Sequence, residues 1–72
     1  MNKGTHPIVA QLRSVRRSRD ILQRDLEART GYQRERLSQW EQGHRVPNLT
    51  HLTDWANALG YDVVLQPRQE ES

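Results

Sequence analysis

The sequence predicts an all-α domain of four short helices with one short β-strand at its C-terminal end. Three observations carry that prediction. Apolar residues recur at three- and four-residue spacings in separate short blocks. Gly31, Gly43 and Gly60 close three of those blocks, and the single β-branched run, Tyr61-Asp62-Val63-Val64-Leu65, follows the last of them.

The first helix is expected to start at Pro7, with Ile8, Leu12 and Val15 as its fixed apolar positions, and to run to about Ser18. A second helix is expected over roughly Leu22 to Arg29, with Leu26 as its buried anchor and Asp20 as its N-cap. Gly31 can take the left-handed conformation that ends one helix and turns the chain, so Thr30-Gly31-Tyr32 reads as a sharp bend. The third helix, about Gln33 to Gln42, carries Leu37 and Trp40 on one side and Glu35, Ser38, Gln39 and Gln42 on the other. Pro47-Asn48 launches the fourth, with Asn48 as N-cap, Leu49, Leu52, Ala56 and Leu59 on its inner face and Gly60 at its end. Tyr61 to Leu65 is too short for a further helix and reads as a strand ended by Pro67. No other segment offers it a partner, so the expected partner is the same strand of a second copy. The boundaries expected are a flexible arm over 1–6, the domain with its strand over 7–66, and a disordered tail over 67–72.

A chain of 72 residues is one small domain, and at about this size only roughly 60% of the unfolded surface can be buried. Its stability is expected to be marginal or shared with a second subunit. The absence of cysteine excludes disulfides, thiolate metal sites and thiol nucleophiles and suits a reducing compartment. No run approaches the roughly 20 apolar residues of a membrane span, and the start lacks the basic head and apolar stretch of a secretion signal. The expected setting is soluble and cytoplasmic. His6, His44 and His51 place no two on one helix face, so no metal site is expected. A triad of Ser14, His51 and Asp54 would need a cleft that so short a helical chain can scarcely form, so neither enzyme activity nor a cofactor is expected.

Net charge is only +2, but it is unevenly placed. Met1 to Asn48 holds ten basic residues against five acids, whereas Leu49 to Ser72 holds one base against four acids. Such asymmetry suits one face turned toward a polyanion, and it also suits a solvated surface that favours arginine.

Two short helices joined by a glycine-bearing turn, the second with a polar outer face, form the geometry that presents a helix to the DNA major groove. The third helix's outer face is poor in lysine and rich in side chains able to make two directed hydrogen bonds: Gln33, Arg34, Glu35, Ser38 and Gln39. Gln pairs bidentately with adenine and Arg with guanine, and Glu accepts from cytosine. An ordinary polar helix face is the alternative.

Leu12, Val15-Arg16, Gln23, Leu26 with Gly31, Leu37-Ser38-Gln39-Trp40-Glu41-Gln42-Gly43 and Pro47-Asn48-Leu49 together resemble the pattern of the Cro and phage-repressor helix-turn-helix family, the XRE-like group. The resemblance covers about Leu12 to Leu65 and implies a lambda-repressor-like fold. It places Gln33, Arg34, Glu35, Ser38 and Gln39 at base-facing positions, makes Gln23 and Gln42 phosphate anchors, and pairs Arg16 with Glu41 as a bridge from helix one to helix three. Arg24, Arg36 and Arg45 are assigned to phosphates on position and charge. Three positions depart from the pattern. Glu27 stands where the family has a small residue, Leu22 replaces a Ser or Thr cap, and Tyr32 is larger than the usual aliphatic residue and is expected to turn its ring inward with its hydroxyl toward a phosphate.

Ala58-Leu59-Gly60 followed by Tyr61 to Leu65 is similar to the end of the antitoxin HipB and its relatives, in which strands of two subunits pair. That similarity implies a homodimer interface of Tyr61, Val63, Val64 and Leu65, with Trp55 nearby; for Trp40 and Trp55 a place in the core is the other reading. Three functions remain open: a homodimeric transcriptional regulator on a two-fold symmetric operator in double-stranded DNA, an antitoxin that also binds a cognate toxin or regulatory protein, and a protein-interaction module that has lost DNA binding.

Overall fold

The first N–H groups of a helix have no intrahelical partner, so proline fits there, and Pro7 opens α1 (Pro7–Ser18) in the computed structural model, which describes residues 5–69. Of the expected arm over 1–6 and tail over 67–72, residues 1–4 and 70–72 lie outside the described residues. His6 caps α1 through its Nδ1, which accepts the Ile8 N–H at 3.1 Å. The helix buries Val9, Leu12 and Arg16 and half-buries Val15, while Ile8 lies on its exposed side. Val9 therefore takes the inward place expected for Ile8, while Leu12 and Val15 keep theirs.

Asp20 does not cap the second helix. It takes the left-handed conformation, φ 56°, just past the end of α1. The Ile21 N–H then donates to Arg16 O at 3.0 Å and the Asp20 N–H to Arg17 O at 3.1 Å, which closes the helix as a Schellman motif with Ile21 folded onto the core. α2 (Gln23–Thr30) begins instead at Leu22. Leu22 has no acceptor to offer, and the Asp25 carboxylate takes the Leu22 N–H at 3.0 Å, half of a capping box.

Gly31 ends α2 at φ 81°. Thr30 reinforces the bend: its Oγ1 donates to Leu26 O at 2.8 Å and accepts the Tyr32 N–H at 3.1 Å. α3 (Arg34–Gln42) stops at Gly43, and α4 (Leu49–Ala58) starts under Asn48, whose side chain accepts the His51 N–H at 2.8 Å. α2 and α3 pack on each other, α2 also meets α4, and α1 crosses both α3 and α4. Val9, Leu12, Leu26, Leu37, Trp40, Trp55, Ala56 and Leu59 form the core between them. Leu49, expected on the inner face of α4, is exposed.

The centre of that core is aromatic. Trp40 stacks on Trp55 at 5.9 Å between centroids and on His51 at 5.1 Å, and Tyr32 meets Trp40 edge-on at 5.7 Å. Trp55 is wholly buried, so it belongs to the core and is not available to a second subunit. The ring of Tyr32 does turn inward, but its hydroxyl donates to the Asp54 carboxylate and not toward solvent. That hydrogen bond, with burial and the Asp54 charge adding and Arg36 opposing, holds the phenol above its usual pKa.

The expected strand is absent, and with it the similarity to HipB: no strand occurs among the described residues, and Tyr61 to Gln69 has no regular secondary structure. A strand needs a neighbour for its alternate N–H and C=O groups, and four helices offer none. The β-branched residues serve packing instead. The Tyr61 N–H returns to Ala56 O at 2.9 Å, and Val63 packs half-buried against the core. Val64 and Leu65 remain exposed.

A Cβ at Gly31 would meet nothing within 4 Å, so the conformation alone penalises substitution there. Gly31→Ala is expected to lose about 1 to 2 kcal/mol in a urea titration, and Gly31→Asn less. An alanine variant as stable as the parent would show that the bend does not require the left-handed region.

Candidate nucleic-acid interface

A helix that presents side chains to a ligand must itself be held at a fixed angle. α3 is held from below by Leu37 and Trp40, both buried, and by a charge network one turn further on. Arg16 of α1 grips Glu41 of α3 with two hydrogen bonds, Nε to Oε2 at 2.6 Å and Nη2 to Oε1 at 2.9 Å. Its remaining arm, Nη1, donates to Ile21 O at 2.7 Å. Glu41 Oε1 also accepts the side-chain amide of Gln23, at 3.1 Å. Both charges are buried, at 8% and 3% exposure, which a protein tolerates when the pair is bidentate and its other groups are satisfied. Three helices are thereby tied at one point.

Glu27 resolves a departure of the sequence from its pattern. Gln33 is the N-cap residue of α3, yet its side chain makes no capping bond. Glu27 supplies it from across the bend, its Oε2 accepting the Arg34 N–H at 3.3 Å. A carboxylate suits the positive end of a helix, and its service there leaves the Gln33 side chain free. The absence of a Ser, Thr, Asp or Asn at position 33 was the available signal that an acceptor had to come from elsewhere.

Gln33, Arg34, Glu35 and Gln39 are exposed on α3, and Ser38 is half-buried among them. Arg34, Glu35, Ser38 and Gln39 line one open depression together with Gln23 at the start of α2. Ser38 and Gln42 are linked, the Gln42 amide donating to Ser38 Oγ at 3.0 Å. Arg24 and Arg34 border a second depression beside Gln23, and Arg36 and Arg45 a third, at the other end of α3. Arg34, Glu35, Ser38 and Gln39 thus share one depression, Gln33 is exposed at the start of the same helix, and Arg24, Arg36 and Arg45 border the neighbouring ones. Gln23 and Gln42 differ from the arginines, since their amides are already engaged, with Glu41 and with Ser38.

Two arginines close a helix end. Arg19 donates to Leu59 O at 2.8 Å and to the Tyr61 hydroxyl at 3.1 Å, and Arg29 donates to Ala58 O at 3.0 Å. Both cap the negative end of α4. Arg24, Arg34, Arg36 and Arg45 make no side-chain hydrogen bond or ion pair among the described residues. Sequence reading missed the capping pair, whose partners are backbone carbonyls and leave no signal in side-chain spacing. No group of three or more potential metal ligands occurs among the described residues, and no helix of the structure is long and apolar enough to cross a membrane.

Two helices around a glycine bend, with the second locked to the core and its polar face turned outward, define a helix-turn-helix DNA-binding domain. The helix-turn-helix family model matches residues 12–65, and the chain belongs to that family, a non-catalytic one. Over 65 residues, 90% of this chain, it is 40% identical to an uncharacterised HTH-type transcriptional regulator, y4dL, of Sinorhizobium fredii. Over 46 residues, 64% of this chain, it is 39% identical to a second such regulator of that organism, y4dJ. The matched regions span 33% and 60% of those proteins. No solved structure gives a significant match.

Removing one partner of the buried pair leaves the other charge unpaired. Glu41→Ala is expected to destabilise the domain by about 3 to 5 kcal/mol, read from chemical denaturation, and Arg16→Met combined with Glu41→Leu to recover most of the loss. Equal stability of the parent and Glu41→Ala would show that the network does not hold α3.

Proposed function

We propose that this domain is a sequence-specific transcriptional regulator that acts in the cytoplasm as a homodimer. Each copy sets α3 into the major groove of a two-fold symmetric operator, with half-sites about one helical turn apart. One observation carries the reading. α3 commits Leu37, Trp40 and Glu41 to the interior, while Gln33, Arg34, Glu35 and Gln39 stand exposed with no side-chain partner among the described residues. Those four groups, with Ser38, are the ones that hydrogen-bond base edges. Arg24, Arg36, Gln42 and Arg45 fix the register on phosphates, and Gln23 contributes while it braces Glu41. Both relatives are described as transcriptional regulators, which supports a regulatory role.

For the dimer, Tyr61 is bonded to Arg19 and Val63 is packed on the core, so within the expected interface segment Val64 and Leu65 are the apolar side chains left for a second copy, with Ile8 of α1 exposed as well. Val64 flanks a shallow groove with Ile8 of α1. Self-association there is side-chain packing and involves no strand pairing.

On sites selected from random DNA, Arg34→Ala is expected to weaken specific binding by about 1 to 3 kcal/mol and relax preference at one base pair, with little change on random duplex. Arg45→Ala should weaken both alike and lower the salt slope by about one. Equal losses on both duplexes for Arg34→Ala would remove it from base reading. Replacing Val64 and Leu65 together by Asp should reduce self-association in sedimentation while helix content stays; an unchanged profile would rule out that surface.

A further inference from the structure

The depression at the C-terminal end of α3 differs from the others. Its walls are Arg36 and Trp40 of α3, Arg45 and Val46 of the connecting loop, and Asn48 and His51 at the start of α4. Arg36 and Arg45 are exposed and have no hydrogen-bonding or ion-pair partner among the described residues. His51 is half-buried, its ring stacked on Trp40 at 5.1 Å and set edge-on against Tyr32 at 4.9 Å. Trp40 against its face and Tyr32 edge-on limit the orientation of the imidazole, yet neither ring nitrogen has a hydrogen-bond partner among the described residues. The amide of His51 is already taken by the Asn48 side chain at 2.8 Å, so the group His51 has to offer is its imidazole.

Two guanidiniums and a fixed imidazole around one open hollow make a site for a tetrahedral oxyanion. We infer that Arg36, Arg45 and His51 form a clamp for a single phosphodiester of the DNA backbone, with His51 as a proton-dependent third donor. The inference rests on the proposed DNA-binding role and adds to it a residue and a dependence on pH. Histidine is the side chain whose charge changes in the physiological range, and a phosphate favours the charged form. The charged and titratable groups around His51 are Arg36 of α3, Arg45 of the loop, Tyr32 of the α2–α3 bend, and Asp54, one turn along α4 and bonded to Tyr32. The phosphodiester carries one negative charge throughout this range, so the proton taken up on binding resides on the imidazole. Affinity therefore rises as pH falls.

A phosphate contact carries no sequence information, so a labelled random-sequence duplex of about 20 base pairs serves as probe. Its binding to the parent chain and to His51→Phe, which keeps the ring stack without the ring nitrogens, is measured by fluorescence anisotropy at pH 6 and pH 8 over a series of salt concentrations. The parent is expected to bind roughly three- to tenfold more tightly at pH 6. Its salt slope should be the same at the two pH values, since the clamp holds one phosphate at either. In His51→Phe the difference in affinity between pH 6 and pH 8 should vanish. His51→Gln, with circular dichroism as a check on folding, separates loss of the proton from loss of the stack. Binding that is independent of pH in the parent, or a pH response retained in His51→Phe, would overturn the clamp and leave the DNA-binding role standing. No binding at either pH and any salt would overturn both.

Discussion

The orientation of α3 depends on a single buried contact, the double hydrogen bond between Arg16 and Glu41. A charge pair taken out of water is a weak source of stability, because desolvation offsets most of the attraction. Its value here is directional. A bidentate guanidinium–carboxylate contact has one good geometry, and Gln23 and Ile21 O occupy the remaining bonding groups from other segments. Apolar packing by Leu37 and Trp40 holds α3 against the core, but apolar contacts tolerate small rotations about the helix axis. The charge network does not, and so sets which residues of α3 face outward.

The functional surface follows from what the interior does not use. Glu27 caps α3 from the preceding helix, so the Gln33 side chain has no structural duty. Arg19 and Arg29 close the end of α4, on carbonyls remote in sequence from both, while Arg24, Arg34, Arg36 and Arg45 surround the outward face of α3 unpaired among the described residues. The charge asymmetry of the chain is therefore a mixture. Arg19 and Arg29 complete a helix end, Arg16 is paired with Glu41, and Arg24, Arg34, Arg36 and Arg45 lie where a polyanion would approach α3.

Much of the fold was legible because its signals are local. Gly31 at a left-handed bend, Asn48 before α4 and the pairing of Leu37 with Trp40 each act within one turn of the chain. Errors arose where a residue had two uses and only tertiary contact decided between them. Asp20 can cap a following helix or close a preceding one, and the fit of Ile21 onto the core selects the second. Ile8 and Val9 are adjacent apolar residues, and a short helix leaves their rotation ambiguous until α3 and α4 are placed. Tyr61 to Leu65 has the composition of a strand, but composition cannot supply the neighbour a strand requires. In the candidate site, the outward face of α3 was legible from its side-chain types. The Glu27 cap, the Tyr32–Asp54 bond and the stacking of His51 were not, since each joins segments that only the folded chain brings together.

The most direct measurement is a titration of the isotope-labelled chain with duplex DNA, followed by backbone and side-chain amide shifts. The largest changes should fall on Gln33 to Gln39 and the Gln23 amide, with a smaller set around Arg45, while Leu26, Trp55 and the Tyr61–Gln66 segment stay near their free positions. Changes concentrated on the outer side of α1 or on α4 beyond Asp54, with Gln33 to Gln39 unmoved, would contradict the assignment of α3 as the helix that reads DNA.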